Sequence, residues 1–466
     1  MSVSDEIVRQ EVSGLYRFIE PLVRRCAELR EDYPVYDGTS LEFFGYFEKL
    51  GRESLQFLEQ LPDEILKNQD PRLSSTKRQK LLSLRSAWED LHQYLRPALD
   101  ADALHLPIPL IAALHDRLHE TKDWRSYRFT LFHTDEANYF QLPSNMVGDV
   151  ANHIAAEVGG TQYPAGLGHI QIPYSQADGL FLNTILAHEM GHFIYQEYAS
   201  HDVEVAIDTA LGAMEKETGE LNEGTAALCE ELVSNWVQEV FCDLFAICLI
   251  GPAFSFAFLE LIAASMLIGQ QDGEPDVFYR FEWEHPADVA RFHYHKLLLE
   301  KLGWWQAIRT SQSAPVQVLN TCARRSKRFT VEINGALPKK VTDARLLRCF
   351  DEVCTSLVGY VPSILKRSAD DVVAFKAQSP TIGEYLRRAV IPSSIIIGGK
   401  RTHPTSVVLI NAGYMFLLEE LPTLLANIEN EKSSSVESRS RLSARLELWL
   451  LKALEDHRLL RREPKS

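Results

Sequence analysis

Residues 176–200, QADGLFLNTILAHEMGHFIYQEYAS, constrain the fold of this chain more than any other stretch. Ser175 and Asp178 stand ahead of an apolar-periodic run, a start signal for a helix. The run holds Leu182, Ile185, Leu186, Met190, Phe193 and Ile194, and its spacing predicts a helix. Within it lies His188-Glu189-Met190-Gly191-His192. Residues four apart in a helix project from one face, so both imidazoles can reach one metal ion. Glu189, one residue after the first histidine, can then lean over a water at the metal.

Zinc is the default metal for two histidines completed by a carboxylate, with one coordination position left open. The ion takes neutral imidazole and lowers the pKa of bound water from about 15.7 to roughly 7. Glu189 would accept that proton and pass it to the leaving amine. Gly191, between the two histidines, costs about 0.8–1 kcal/mol against alanine in a helix interior. The position therefore calls for a packing reason, either a close neighbour or a substrate.

The third ligand is expected on a second helix. Residues 222–250, NEGTAALCEELVSNWVQEVFCDLFAICLI, again have helical periodicity and carry Asn235, Glu239 and Asp243 along one face. Glu239 is the candidate ligand. Asp243, one turn on, can accept the other ring N–H of a ligating histidine and so fix its tautomer. A stripe of acids on a helix more often faces water. Here Trp236, Val240, Phe241, Leu244 and Phe245 crowd the stripe, and acids in apolar surroundings need a cation or hydrogen-bond donors.

HEMGH followed by Glu-x-x-x-Asp resembles the gluzincin metallopeptidases, the thermolysin-like and neprilysin-like class. The resemblance covers about residues 164–291 and rests on five side chains. It implies zinc ligands at His188, His192 and Glu239, a general base at Glu189, and a supporting acid at Asp243. The metzincin pattern fails, since Tyr195 and Tyr198 stand where Gly and His would be needed. Gluzincin-like enzymes use a Tyr or His to stabilise the oxyanion of the tetrahedral intermediate. The loop at 270–284 leads into HPADVARFHYH, where Pro286 suits a helix start and leaves His285 at its mouth. His285, Tyr279 and Arg291 are the candidates for that role, in this order.

The formal charge of −16 argues against nucleic acid or an anionic membrane surface as a partner. The first residues, MSVSDEIVRQEVSGLYRF, carry acids and no apolar core, so no secretory signal is expected there. The apolar run 244–259 is broken by Gly251-Pro252 and is shorter than the roughly 20 residues a membrane span needs. Two buried helices joined by a turn are expected instead. The seven cysteines form no close-spaced pair, which suits a reducing compartment and a cytosolic location. Cys242, beside Asp243, could be a ligand, but a buried free thiol is the simpler expectation.

Residues 1–122 have helical patterning throughout, as in 7–29, 41–58, 77–94 and 108–119, punctuated by YPVYDGTS, LPDE, NQDPRLSS and LHLPIP. From about Trp124 short β-branched and aromatic runs appear, RSYRFTLFH, NYFQL and GHIQIPYS. They predict a small sheet, and the resemblance implies that it is mostly antiparallel, with the strand at 168–173 an edge able to pair with an extended substrate backbone. Beyond Gly303 the expectations are a helix from Trp304-Trp305, a hairpin at 329–337 turning at Asn334-Gly335, and a helix at 346–361. A surface loop at 392–405, a polar linker NENEKSSSVES and a helix at 442–460 complete the chain.

The expected fold is α+β, mainly helical: a zincin-like core with a small antiparallel sheet between helical N- and C-terminal regions. The regions are 1–122, 123–305 for the core, and 306–466. The expected function is zinc-dependent hydrolysis of peptide bonds, with a peptide or protein as substrate. Two other readings stay open, a binding or regulatory module with a structural or occluded zinc site, and a hydrolase of non-peptide amides.

Overall fold

The structure, a computed structural model, describes residues 3–33, 37–66, 71–100, 106–134, 139–142, 144–173, 179–219, 221–269, 279–322, 329–331, 343–421 and 435–462. It is mainly helical with small sheets. Two compact units are formed, residues 1–108 with 123–178, and 109–122 with 179–466. They cut across the three sequential regions expected.

In the first unit, α1 (Val3–Asp32), α2 (Gly38–Leu66) and α3 (Pro71–Leu99) pack on one another. Their buried faces follow the helical repeat: Val8, Val12, Leu15, Ile19, Val23 and Cys26 on α1, and Leu84, Trp88, Leu91 and Leu95 on α3. LPDE does not break α2, which continues through it to Leu66. Helix α4 (Ile108–Leu118) follows and, from Pro109 on, belongs to the second unit.

Strands β1 (Arg128–Thr134), β2 (Phe140–Leu142) and β3 (Leu167–Pro173), with α5 (Ser144–Val158) between the last two, make a sheet ordered β1-β3-β2. The expectation of a mostly antiparallel sheet is corrected, because β1 and β3 pair in parallel over the full length of both. The chain between them supplies the crossover that parallel pairing needs. Only the short β2 runs antiparallel to β3. The edge assignment for 168–173 is also corrected: β3 is central, its backbone taken up on both sides and all its residues buried. At His169, Ile170 and Gln171 both of its edges are taken. The fully buried His169 on this strand sits between Thr130 (Nδ1 to Oγ1, 2.9 Å) and Tyr163 (Nε2 to Oη, 2.7 Å).

The second unit is organised around α8 (Glu223–Ile250). Asn222 caps it by accepting from the Thr225 N–H at 2.9 Å, and the helix packs against α6 (Leu186–Ile194), α7 (Ser200–Thr218), α9 (Pro252–Gly269), α10 (Asp288–Lys301) and α13 (Asp343–Ile364). Helix α8 is long and apolar enough to cross a bilayer, yet 83% of its most apolar window is buried within the protein. Gly251, at φ 70°, turns the chain directly into α9, giving the two helices expected from Gly251-Pro252.

The single helix expected at 176–200 is a composite. A 3₁₀ turn at Leu182–Ile185 runs into α6, a π-helical turn at Tyr195–Ala199 follows, and α7 continues from Ser200. The start signal at Ser175 and Asp178 lies outside the described residues.

After α10 come α11 (Trp305–Ile308), α12 (Ala314–Cys322), α13, α14 (Asp370–Arg387), α15 (Ser406–Glu419) and α16 (Ser435–Arg462). The hairpin expected at 329–337 is not what its described part forms. Strand β5 (Thr330–Val331) pairs in parallel with β4 (Arg280–Phe281), while Asn334-Gly335 lies outside the described residues. The loop expected at 392–405 contains a hairpin, β6 (Ile395–Ile397) and β7 (Lys400–Thr402). Its turn residues Gly398 and Gly399 both have positive φ, the primed geometry that suits strand twist. Cys26, Cys229, Cys242, Cys248, Cys349 and Cys354 are free and buried.

Candidate metal centre

Three helices of the second unit build one cluster. Helix α6 supplies His188, Glu189 and His192, α8 supplies Gln238, Glu239, Cys242 and Asp243, and α10 supplies Arg291 and His295. Gly191 sets how closely the first two helices approach. A Cβ there would lie 2.9 Å from Cys242 Cα, so the reason for the glycine is the backbone of α8.

The carboxylate of Glu239 faces both imidazoles. Its two oxygens lie 3.6 Å from His188 Nε2 and 3.5 Å from His192 Nε2. These separations exceed an ordinary N–H···O bond. They match the edge of a tetrahedron instead, since donors about 2.0–2.1 Å from a zinc ion stand roughly 3.3–3.4 Å apart. The three side chains therefore fit zinc.

The far side of each imidazole is also held. His188 Nδ1 lies 2.9 Å from Asp243 Oδ1, which as a carboxylate accepts Nδ1–H and leaves Nε2 with its lone pair toward Glu239. The Gln238 amide nitrogen faces His192 Nδ1 at 3.0 Å. A half-turn of that carboxamide puts its oxygen in the same place, accepts Nδ1–H and frees Nε2 in the same way.

Asp243 is fully buried and is held from three directions. Arg291 donates to both its oxygens, from Nε at 2.7 Å and Nη2 at 2.6 Å, and His295 Nε2 lies 2.9 Å from Oδ2. Burial would raise its pKa, but the Arg291 charge and the His295 interaction outweigh that and hold it well below the usual carboxylate range. Glu239 is likewise lowered against the pull of burial, chiefly by Arg291, whose Nη1 lies 3.2 Å from it. Burial pushes His192 down to about 4, so that imidazole is neutral at pH 7. Burial pulls His188 the same way, but Asp243 and Glu239 overcome it and raise its pKa. Glu239 and Asp243 thus face one guanidinium, an excess of negative charge that a divalent cation offsets.

Cys242 is the competing ligand. Its thiol and one nitrogen from each of His188 and His192 lie within 4.8 Å of one another. Both Nδ1 atoms are engaged elsewhere, and both Nε2 atoms face Glu239. Burial, followed by the charges of Glu239, Asp243 and Glu189, pushes the Cys242 thiol well above its ordinary pKa, so without a cation beside it the thiol is protonated.

His285 stands at the mouth of the cluster, its side chain 59% exposed and its Nδ1 3.8 Å from Glu239 Oε2. Arg291 lies inside instead, stacked over the Phe258 ring at 4.2 Å with its N–H groups on two carboxylates. Those bonds make it a counter-ion for Asp243 and Glu239. Tyr279 is placed in an aromatic cluster with Phe329, whose ring is 6.4 Å away. Glu189 is buried, as are His188 and Glu239, whereas His192 is half-buried and His285 is exposed.

The sequence reading missed His295 and Gln238 as members of the cluster. Arg291 and His295 stand four apart on α10, the same spacing as His188 and His192, and that was the available signal. No family model matches this chain, and no curated protein or solved structure matches it.

Proposed function

We propose that this chain is a zinc-dependent hydrolase of peptide bonds, with a zincin-like centre in its second unit similar to that of the gluzincins. The observation that carries the reading is that the two Glu239 carboxylate oxygens lie 3.6 Å from His188 Nε2 and 3.5 Å from His192 Nε2. His188, His192 and Glu239 would hold zinc, which when bound would polarise the scissile carbonyl and the attacking water.

The remaining chemistry belongs to this chain's own side chains. Glu189 takes a proton from the attacking water and returns it to the departing amine. Asp243 keeps His188 in the tautomer that presents Nε2, and Arg291 keeps Asp243 ionised. His285, at the exposed side of Glu239, is placed to donate a hydrogen bond to the developing oxyanion. A base beside the two histidines is of no use to a purely structural site, and this favours the catalytic reading.

The proximity of Cys242 favours a second reading, a closed site in which the thiolate fills the fourth position and zinc serves folding alone. The experiment separating the two pairs metal analysis with cleavage of a random pool of internally quenched peptides. The hydrolase should contain about one zinc per chain. Glu189→Gln should keep that zinc and lose roughly 10²–10⁴ in turnover, and Cys242→Ser should keep both zinc and turnover. Loss of zinc in Cys242→Ser, with no peptide cleaved by the unmodified protein, would establish the structural site.

A further inference from the structure

From the same helix that carries Glu239, the structure assigns a new pair of positioning residues, Asn235 and Trp236, that set His285 at the mouth of the metal centre. The inference rests on the hydrolase reading and deepens it. Asn235 Nδ2 donates to the carbonyl of Trp283 at 3.3 Å, and Trp236 Nε1 donates to the carbonyl of Glu282 at 2.6 Å. The turn is closed by the Glu282 N–H donating to the carbonyl of His285 at 2.9 Å. Two adjacent side chains of α8 thus pin two adjacent carbonyls of the segment that carries His285.

The imidazole of His285 needs such pinning because it is 59% exposed and is not locked by packing. An exposed side chain on a free loop spreads over many positions, and a donor displaced by about 1 Å can cost on the order of 10²-fold in rate. The anchors themselves are firm. Trp236 is fully buried, its ring 4.8 Å from Phe281 and 6.0 Å from Phe350. One turn further along α8 stands Glu239, so the ligand and the anchors of His285 share one rigid element and their relative geometry is set by helix pitch.

The test uses the full-length zinc-loaded protein and one quenched peptide, chosen from the random pool because the unmodified protein cleaves it. Trp236→Phe keeps an aromatic ring in the core and removes the N–H together with part of the indole, and Asn235→Ala removes the other anchor. Each should lower kcat about 10–10²-fold while zinc content and KM stay as they were, and Trp236→Phe should also lower the unfolding midpoint through the space it leaves. Asn235→Gln should recover part of the loss.

The decisive readout is non-additivity. In a His285→Ala background, neither substitution should lower kcat further. Full kcat in both single variants, or losses that multiply with that of His285→Ala, would overturn the inference while leaving the hydrolase reading intact. An active Glu189→Gln protein, or a pool in which nothing is cleaved, would remove that reading and this inference with it.

Discussion

At Gly191, two residue-scale forces oppose each other, and their sizes decide the outcome. Alanine would favour the helix by about 0.8–1 kcal/mol. The added Cβ would sit 2.9 Å from Cys242 Cα, and backbone cannot swing aside as a side-chain end can. Overpacking of this kind costs about 1–3 kcal/mol, so Gly191→Ala should be less stable and should bind zinc more weakly as α6 and α8 part. Denaturant unfolding and zinc titration check both effects, and a variant as stable as the parent would remove the close-contact explanation. The sequence showed that this glycine wanted a reason but could not name it. Cys242 lies 51 positions further on, and no local pattern joins the two.

At the scale of elements, the junction of α8, Gly251 and α9 depends on one side chain from α15. Asn411, buried, donates to the carbonyls of Ile250 at 2.7 Å and Val407 at 2.8 Å, and accepts from the Ala253 N–H at 2.9 Å. It thereby satisfies the end of one helix and the start of the next where water does not reach. Asn411→Leu keeps the volume close and strips every one of these partners. A loss of about 2–4 kcal/mol is expected, read as a lower urea midpoint at unchanged m, and an unshifted midpoint would refute the capping role. Periodicity and Gly251-Pro252 gave both helices in advance. Nothing in the local sequence of Asn411 gave its partners, because a polar residue in an apolar helix has no periodic signature of what it will meet.

For the whole molecule, two pH effects compete below neutrality. The net charge of −16 shrinks toward the pI near 5.5, which relaxes self-repulsion. Burial meanwhile holds His169 down to about 3 in the folded state, against an ordinary value of 6.5. As pH falls through 6.5 the unfolded chain takes up a proton there that the folded chain refuses, so stability is lost on acidification. That contribution is complete above pH 6.5 and is lost toward pH 3, reaching about 2 kcal/mol by pH 5. The difference in unfolding free energy between pH 7 and pH 5 should shrink by that amount in His169→Gln. An identical pH dependence in both proteins would show that the His169 site admits water.

The sequence by itself determined the elements and the chemistry they could carry. Helical spacing put His188 and His192 on one face and Glu239 and Asp243 on another, because those relations span a turn or two and are fixed by 3.6 residues per turn. Tertiary structure decided what is non-local. It brought Glu239 to 3.5–3.6 Å from both imidazoles, buried Arg291 as a counter-ion, and added His295 and Gln238. It also made β3 central, since strand order follows from how the crossover packs and not from the strand's own residues. Short-range periodicity is written in consecutive side chains, whereas the meeting of distant helices depends on the packing of every residue between them.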